Sequence, residues 1–206
     1  VPRRPRRHRG RARRGSTGSS PRTGTRARAA DARRARMSET LEPALPQELD
    51  RKAEQAMRRL CDKGLTVATA ESCTGGLLAS LLTDIEGCGH GFDRGFITYS
   101  AEAKQKLLGL SPQQVGDNDA VTAEAARAMA EGALKQCDAD IILSATGFAG
   151  PAGPGCEEGL VFMACARRDG ETFVEEKRFG PMGRGPVRIE ALKVLVDMLC
   201  RAIDEA

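Results

Sequence analysis

Residues 66–76 read TVATAESCTGG. The short apolar run LTVATA (65–70) has the look of a buried strand, and it breaks off at Glu71-Ser72-Cys73-Thr74. Gly75-Gly76 then leads into GLLASLLTD (76–84), where helical character returns. The reading is strand, tight loop, helix. The loop holds a carboxylate and two possible nucleophiles, Ser72 and Cys73, beside a flexible turn. A serine just past a strand is exposed, and the free N–H groups of a following helix suit a developing negative charge. The plainer alternative has Ser72 or Thr74 capping the helix while the glycines make the turn. Neither GxSxG nor GxxxxGK[ST] occurs in the chain, so no nucleophile-elbow or P-loop motif decides between them.

Outward from this stretch the chain alternates helix and strand. PQELDRKAEQAMRRLCDKG sets Leu49, Ala53, Ala56, Met57 and Leu60 on one helical face, predicting a helix over about 47–63 with Gly64 as its stop. GFITYS (95–100) reads as a strand, 101–110 as a helix capped by Ser100, and 122–137 as a helix capped by Thr122. DIILSAT (140–146) is a second buried strand. A glycine and proline loop (147–159) follows, then strand patterns at 160–166 and 172–178 and an amphipathic helix over about 186–203. Such alternation predicts an α/β fold, a three-layer α/β/α sandwich with helices on both faces of a mostly parallel sheet. Right-handed crossovers bring the loops after Glu71, Tyr99 and Thr146, with the basic run after Phe179, to one edge of that sheet, where ligands gather in such folds.

The first 36 residues are of another kind. They hold 14 arginines, no lysine and one acid, a charge of +13 within a whole-chain +4, which leaves −9 for the rest. Too few apolar residues are present to build a core, so 1–36 reads as a disordered Arg-rich arm and 37–206 as the folded domain. The bland reading of the arm is an unstructured leader, translated ahead of a start at Met37. The functional one is a tether for nucleic acid, although aromatics for base stacking are missing. No run is long and apolar enough to span a bilayer. The seven cysteines form no CxxC pair, which argues against a disulfide framework or zinc finger and suits a reducing cytoplasm. Two histidines argue against a His-rich zinc site, and a Ser-His-Asp triad would have to use His90, which reads as a loop residue.

Four blocks in order, TVATAESCTGGLLASLLTDIEG, FDRGFITYSAEAKQKLLGL, AVTAEAARAMAEGALKQCDADIILSATGFAGPAG and RFGPMGRGPVR, resemble the C-terminal domain of the CinA competence/damage-inducible family. The resemblance covers about Leu45 to Ala206. Stand-alone members of that family are nicotinamide-nucleotide amidases. The resemblance therefore implies hydrolysis of nicotinamide mononucleotide to nicotinic acid mononucleotide and ammonia, on an α/β/α sandwich with a mixed sheet, as a homodimer, without metal or other cofactor. It maps the nucleophile to Ser72, a lysine to Lys104 as its base, a tyrosine to Tyr99 as proton relay or pocket closure, and a threonine to Thr146. Around the small-molecule nucleotide it implies Glu71, Thr74, Gly75, Gly76, Gly147 and Arg184. Backbone N–H groups from Cys73 to Gly76 are candidate oxyanion donors, Arg184 a phosphate fork, and Glu71 a partner of either a ribose hydroxyl or Lys104.

Two features depart from the family pattern. The loop GPAGPGCEEGLVF is shorter than usual and lacks a lysine, and Gly183-Arg184 follows an extra Pro-Met where the family has Gly-Asp-Arg. A catalytically silent nucleotide-binding module, and a nucleic-acid-associated protein using the arm, are therefore kept beside the amidase reading. The arm contributes none of the proposed site residues. A 37–206 fragment is expected to match the full chain in ammonia release from nicotinamide mononucleotide and to lose any salt-sensitive retention of RNA or DNA. A lower rate for the fragment at fixed ionic strength would refute this division of the chain.

Overall fold

The computed structural model describes residues 45–116 and 120–206. The arm, 1–36, lies outside the described residues. In chain order the elements are α1 (Gln47–Asp62), β1 (Val67–Glu71), α2 (Leu77–Thr83), a 3-10 turn (Gly89–Gly91), β2 (Phe92–Ile97), α3 (Ala101–Leu108), α4 (Pro112–Val115), α5 (Ala123–Lys135), β3 (Ile141–Gly147), β4 (Leu160–Arg167), β5 (Phe173–Arg178) and α6 (Arg184–Asp204). The strands form one mixed sheet in the order β2-β1-β3-β4-β5.

The sheet is mixed as expected, but parallel and antiparallel pairs are equal in number instead of mostly parallel. β1 pairs in parallel with β2 and β3, because helices carry the chain back across the sheet between them. β3–β4 and β4–β5 are antiparallel, since residues 148–159 and 168–172 connect them without any helix. The central strands β1 and β3 are buried almost throughout.

Strand alternation divides the core in two. Val67, Ile141, Leu143, Ala145, Val161 and Met163 face α1, α2 and α6. Ala68, Ala70, Ile142, Phe162, Ala164 and Ala166 face α3, α4 and α5. This is the three-layer sandwich the pattern predicts.

Element ends follow local chemistry. Ser100 and Thr122 cap α3 and α5, accepting from Ala103 N at 3.1 Å and Ala125 N at 3.0 Å. β2 starts three residues before the expected strand and stops at Ile97, because its register is set by β1, with Val67 opposite Phe92. Its Asp93 and Arg94 pair with each other on this exposed edge, so the strand carries no apolar alternation to read. α4 is an unpredicted turn with its own signal, Ser111-Pro112-Gln113-Gln114, which forms a complete capping box. α6 begins at Arg184, ahead of Pro186, since a proline in the first turn forfeits no helical hydrogen bond. Among the described residues no helix is long and apolar enough to cross a membrane.

α5 is built from small residues, Ala125, Ala126, Ala130, Gly132 and Ala133, which let it lie close to the sheet and to the end of α3. A Cβ on Gly132 would overlap the Leu108 carbonyl, a backbone atom that cannot swing aside. Alanine is favoured over glycine inside a helix by about 1 kcal/mol, so the sign of Gly132→Ala reports which effect wins. We expect net destabilisation of roughly 1–3 kcal/mol, the range for overpacking, read from the denaturant midpoint. An unchanged or raised midpoint would show that α3 yields.

Candidate active site

The loop after β1 is fastened on three sides. Ser72 N donates to Ala145 O of β3 at 2.9 Å, and Thr98 N, just past β2, donates to Glu71 O at 2.8 Å. Glu71 itself is fully buried, and its carboxylate accepts from Gly76 N at 3.0 Å, Leu78 N at 3.1 Å and Ala79 N at 2.8 Å. Those are the free donors at the start of α2. Neither Ser72 nor Thr74 caps this helix. The residue at the cap is Gly76, with φ 92°, and the capping oxygens reach it from Glu71. Both oxygens of Glu71 thus serve the start of α2, a duty the sequence reading did not include.

The same bonds narrow the oxyanion donors. Gly75 N is taken by Ser72 O at 3.1 Å, Gly76 N by Glu71, and Leu77 N by Thr74 O at 3.3 Å. Between residues 72 and 79, only the N–H groups of Cys73 and Thr74 are uncommitted to another residue among those described. Gly75 and Gly76 therefore serve the turn, both with positive φ, and not the substrate through their N–H groups.

Ser72 is recessed, 7% exposed, and continues the alternation of β1 toward the side of Ala68 and Ala70. Lys104 lies on that side. It sits on α3 one turn before Leu108 and is only 1% exposed, a rare environment for a lysine. Thr146 also falls there, and its hydroxyl donates to Ala120 O at 2.9 Å. Its proton is thus committed to an alanine held in the left-handed region, φ 60°, and what remains is acceptor capacity. Thr74 and Thr98 are buried with hydroxyls that have no protein partner among the described residues.

Three expected residues stand differently. Tyr99 is 64% exposed, which suits closure of a pocket better than a buried relay. Gly147 is required by β4, because a Cβ there would meet Leu160 O and Val161 Cα. Arg184 is exposed at the first position of α6, with its guanidinium against Gly150 of the neighbouring loop. His90 is exposed in the 3-10 turn.

Sequence reasoning missed Arg188, one turn further along α6. Its Nε donates to Cys73 O at 2.7 Å, and its Nη2 lies over Gly75. The only signal was its place at the end of the block RFGPMGRGPVR. The Cys73 thiol points into the α1–α2–α6 core. Burial pushes it up to about 12; the Arg188 cation works in the opposite direction, and Glu71 and Lys104 oppose each other with smaller effects.

Residues 49–203 match the CinA C-terminal domain family. The chain belongs to that family. A putative competence-damage inducible protein of Caldicellulosiruptor saccharolyticus is 42% identical over 153 residues, 73% of this chain but 36% of that protein. The CinA domain thus spans about a third of that longer relative. A protein of Enterobacter agglomerans named nicotinamide-nucleotide amidohydrolase PncC is 42% identical over 131 residues, covering 63% of this chain and 79% of that protein. Among solved structures, the competence/damage inducible protein CihA of Agrobacterium tumefaciens superposes with a TM-score of 0.74 at 36% identity, over 77% of this chain and 97% of that one.

The Cys73 environment makes a prediction of its own. A raised thiol pKa leaves the neutral thiol in place until the pH approaches about 12, and the thiolate is the reactive form. Cys73 should resist iodoacetamide at pH 7–8 in the folded protein, as followed by peptide mass mapping. Rapid alkylation of Cys73 under native conditions would contradict the geometry.

Proposed function

We propose that this CinA domain hydrolyses the carboxamide of nicotinamide mononucleotide, with Ser72 as nucleophile and Lys104 as its base. The observation that carries the reading is a wholly buried lysine on the side of the sheet to which Ser72 belongs, at the carboxyl ends of β1 and β2. The similarity to the protein named PncC supports the substrate.

A general base has to lie within reach of the proton it takes, and Lys104 is an amine on the side of the sheet that Ser72 faces. The Ser72 hydroxyl adds to the amide carbon as its proton passes to Lys104, and the carbonyl π pair moves onto oxygen. When the tetrahedral species collapses, the C–N bond breaks and Lys104 returns the proton to nitrogen, releasing ammonia. Water then adds to the Ser72 ester with the same base, and C–O cleavage restores the hydroxyl and frees the carboxylic acid. Thr146 accepts from the carboxamide N–H, Arg184 holds the phosphate, and Tyr99 covers the bound nucleotide. A cytoplasmic homodimer is part of the same proposal, with exposed Ile97 and Leu107 as apolar surface available to a second copy.

Ammonia release from nicotinamide mononucleotide by the purified chain tests the reading. Ser72→Ala is expected to abolish turnover while leaving the unfolding midpoint and nucleotide affinity in place. A wild-type protein that binds the nucleotide and releases no ammonia would favour the silent binding module instead. Arg184→Ala should raise KM about tenfold or more with little change in kcat, as expected for a lost charge-assisted contact. Equal wild-type affinity for the nucleotide and its dephosphorylated riboside would refute the phosphate role.

A further inference from the structure

We propose that Arg188 is a positioning residue that aims the Thr74 N–H at the oxygen of the attacked carbonyl. The inference rests on the amide-hydrolysis reading above and assigns that site a donor and the side chain that orients it.

A trans peptide unit is planar, with its C=O and the following N–H pointing in opposite directions. Arg188 Nε holds the Cys73 carbonyl at 2.7 Å from α6, and α6 covers the sheet face lined by Leu143 and Ala145. Pinning that carbonyl toward α6 turns the Thr74 N–H away from it, toward the layer of Ser72 and Lys104. The neighbouring donors have other duties: Gly75 N closes the turn onto Ser72 O, and Gly76, Leu78 and Ala79 donate to Glu71. The Cys73 N–H belongs to the Ser72–Cys73 peptide, whose carbonyl is held by Gly75 N from within the turn, so Arg188 does not govern it. Thr74 is thus the uncommitted donor whose own peptide Arg188 grips.

The grip is specific in character. Arg188 has no carboxylate partner among the described residues, so its charge is not spent on an ion pair; its hydrogen bond is to a backbone carbonyl and its Nη2 lies over Gly75. The bond is charge-assisted and part-buried, conditions under which it is stronger than a neutral surface bond. Released from Arg188, the Cys73–Thr74 peptide can rotate about the bonds on either side, and the donor loses its aim before substrate arrives. Preorganised donors accelerate the chemical step because they need no reorganisation as charge develops.

The test compares Arg188→Met, which keeps length and removes the donor, with Arg188→Lys, which offers a less well-shaped donor to the same carbonyl. Ammonia release from nicotinamide mononucleotide gives kcat and KM, and calorimetry gives affinity for nicotinic acid mononucleotide, which probes the pocket in variants that turn over slowly. We expect kcat to fall about ten- to a hundredfold for Arg188→Met, less than the ~10²–10³ for deleting such a donor outright. Arg188→Lys should lie between it and wild type, both with product affinity within about twofold of wild type, as a loss confined to the transition state requires. If the Met variant does not fold, the Lys variant decides by the same criteria. Wild-type kcat in the folded variants overturns the inference. So does a raised KM or weakened product binding at unchanged kcat, which would make Arg188 a substrate-binding residue. Absence of ammonia release from the wild type overturns the hydrolysis reading, and the inference with it.

Discussion

The buried carboxylate of Glu71 organises the carboxyl edge of the sheet. A carboxyl group with no solvent contact needs hydrogen-bond partners for its oxygens, and here three N–H groups at the start of α2 meet that need. The bonds tie the last residue of β1 to a helix that begins six residues later, so residues 72–76 are drawn into a tight turn with Gly75 and Gly76 at positive φ. They also take up most of the backbone donors nearby. What remains free is decided by elimination, because Glu71 and the turn occupy the rest.

A second constraint is the alternation of the strands. Odd positions of β1 face α1, α2 and α6, and even positions face α3 to α5. Glu71 and Ser72 are adjacent in sequence and yet belong to opposite layers. The structural carboxylate works on one side, while the hydroxyl is offered on the side of Lys104 and Thr146. A lysine that is 1% exposed does not stabilise a fold by being buried. Here it sets an amine on the side of the sheet that Ser72 faces. α6 completes the arrangement from the first layer, its opening turns bringing Arg184 against Gly150 and Arg188 onto the Cys73 carbonyl.

The sequence by itself determined the order and type of the main elements. Apolar periodicity marks α1, the buried strands β1 and β3 and the final helix, and Ser100 and Thr122 are legible caps because capping is a local interaction. The motif block containing Glu71-Ser72-Cys73 and the spacing to Lys104 were equally legible, since they are matters of residue identity and order. Tertiary structure alone decided what each polar group touches. The role of Glu71 depends on where α2 returns, Thr146 spends its proton on Ala120 across the α5 layer, and Gly147 is small for the sake of β4. β2 hid its first residues because an edge strand needs no apolar alternation, and the balance of parallel and antiparallel pairs turned on which connections lack a helix. Arg188 was beyond reach for the same reason: a contact between residues 115 apart is made by packing α6 against the sheet, and no local pattern records it.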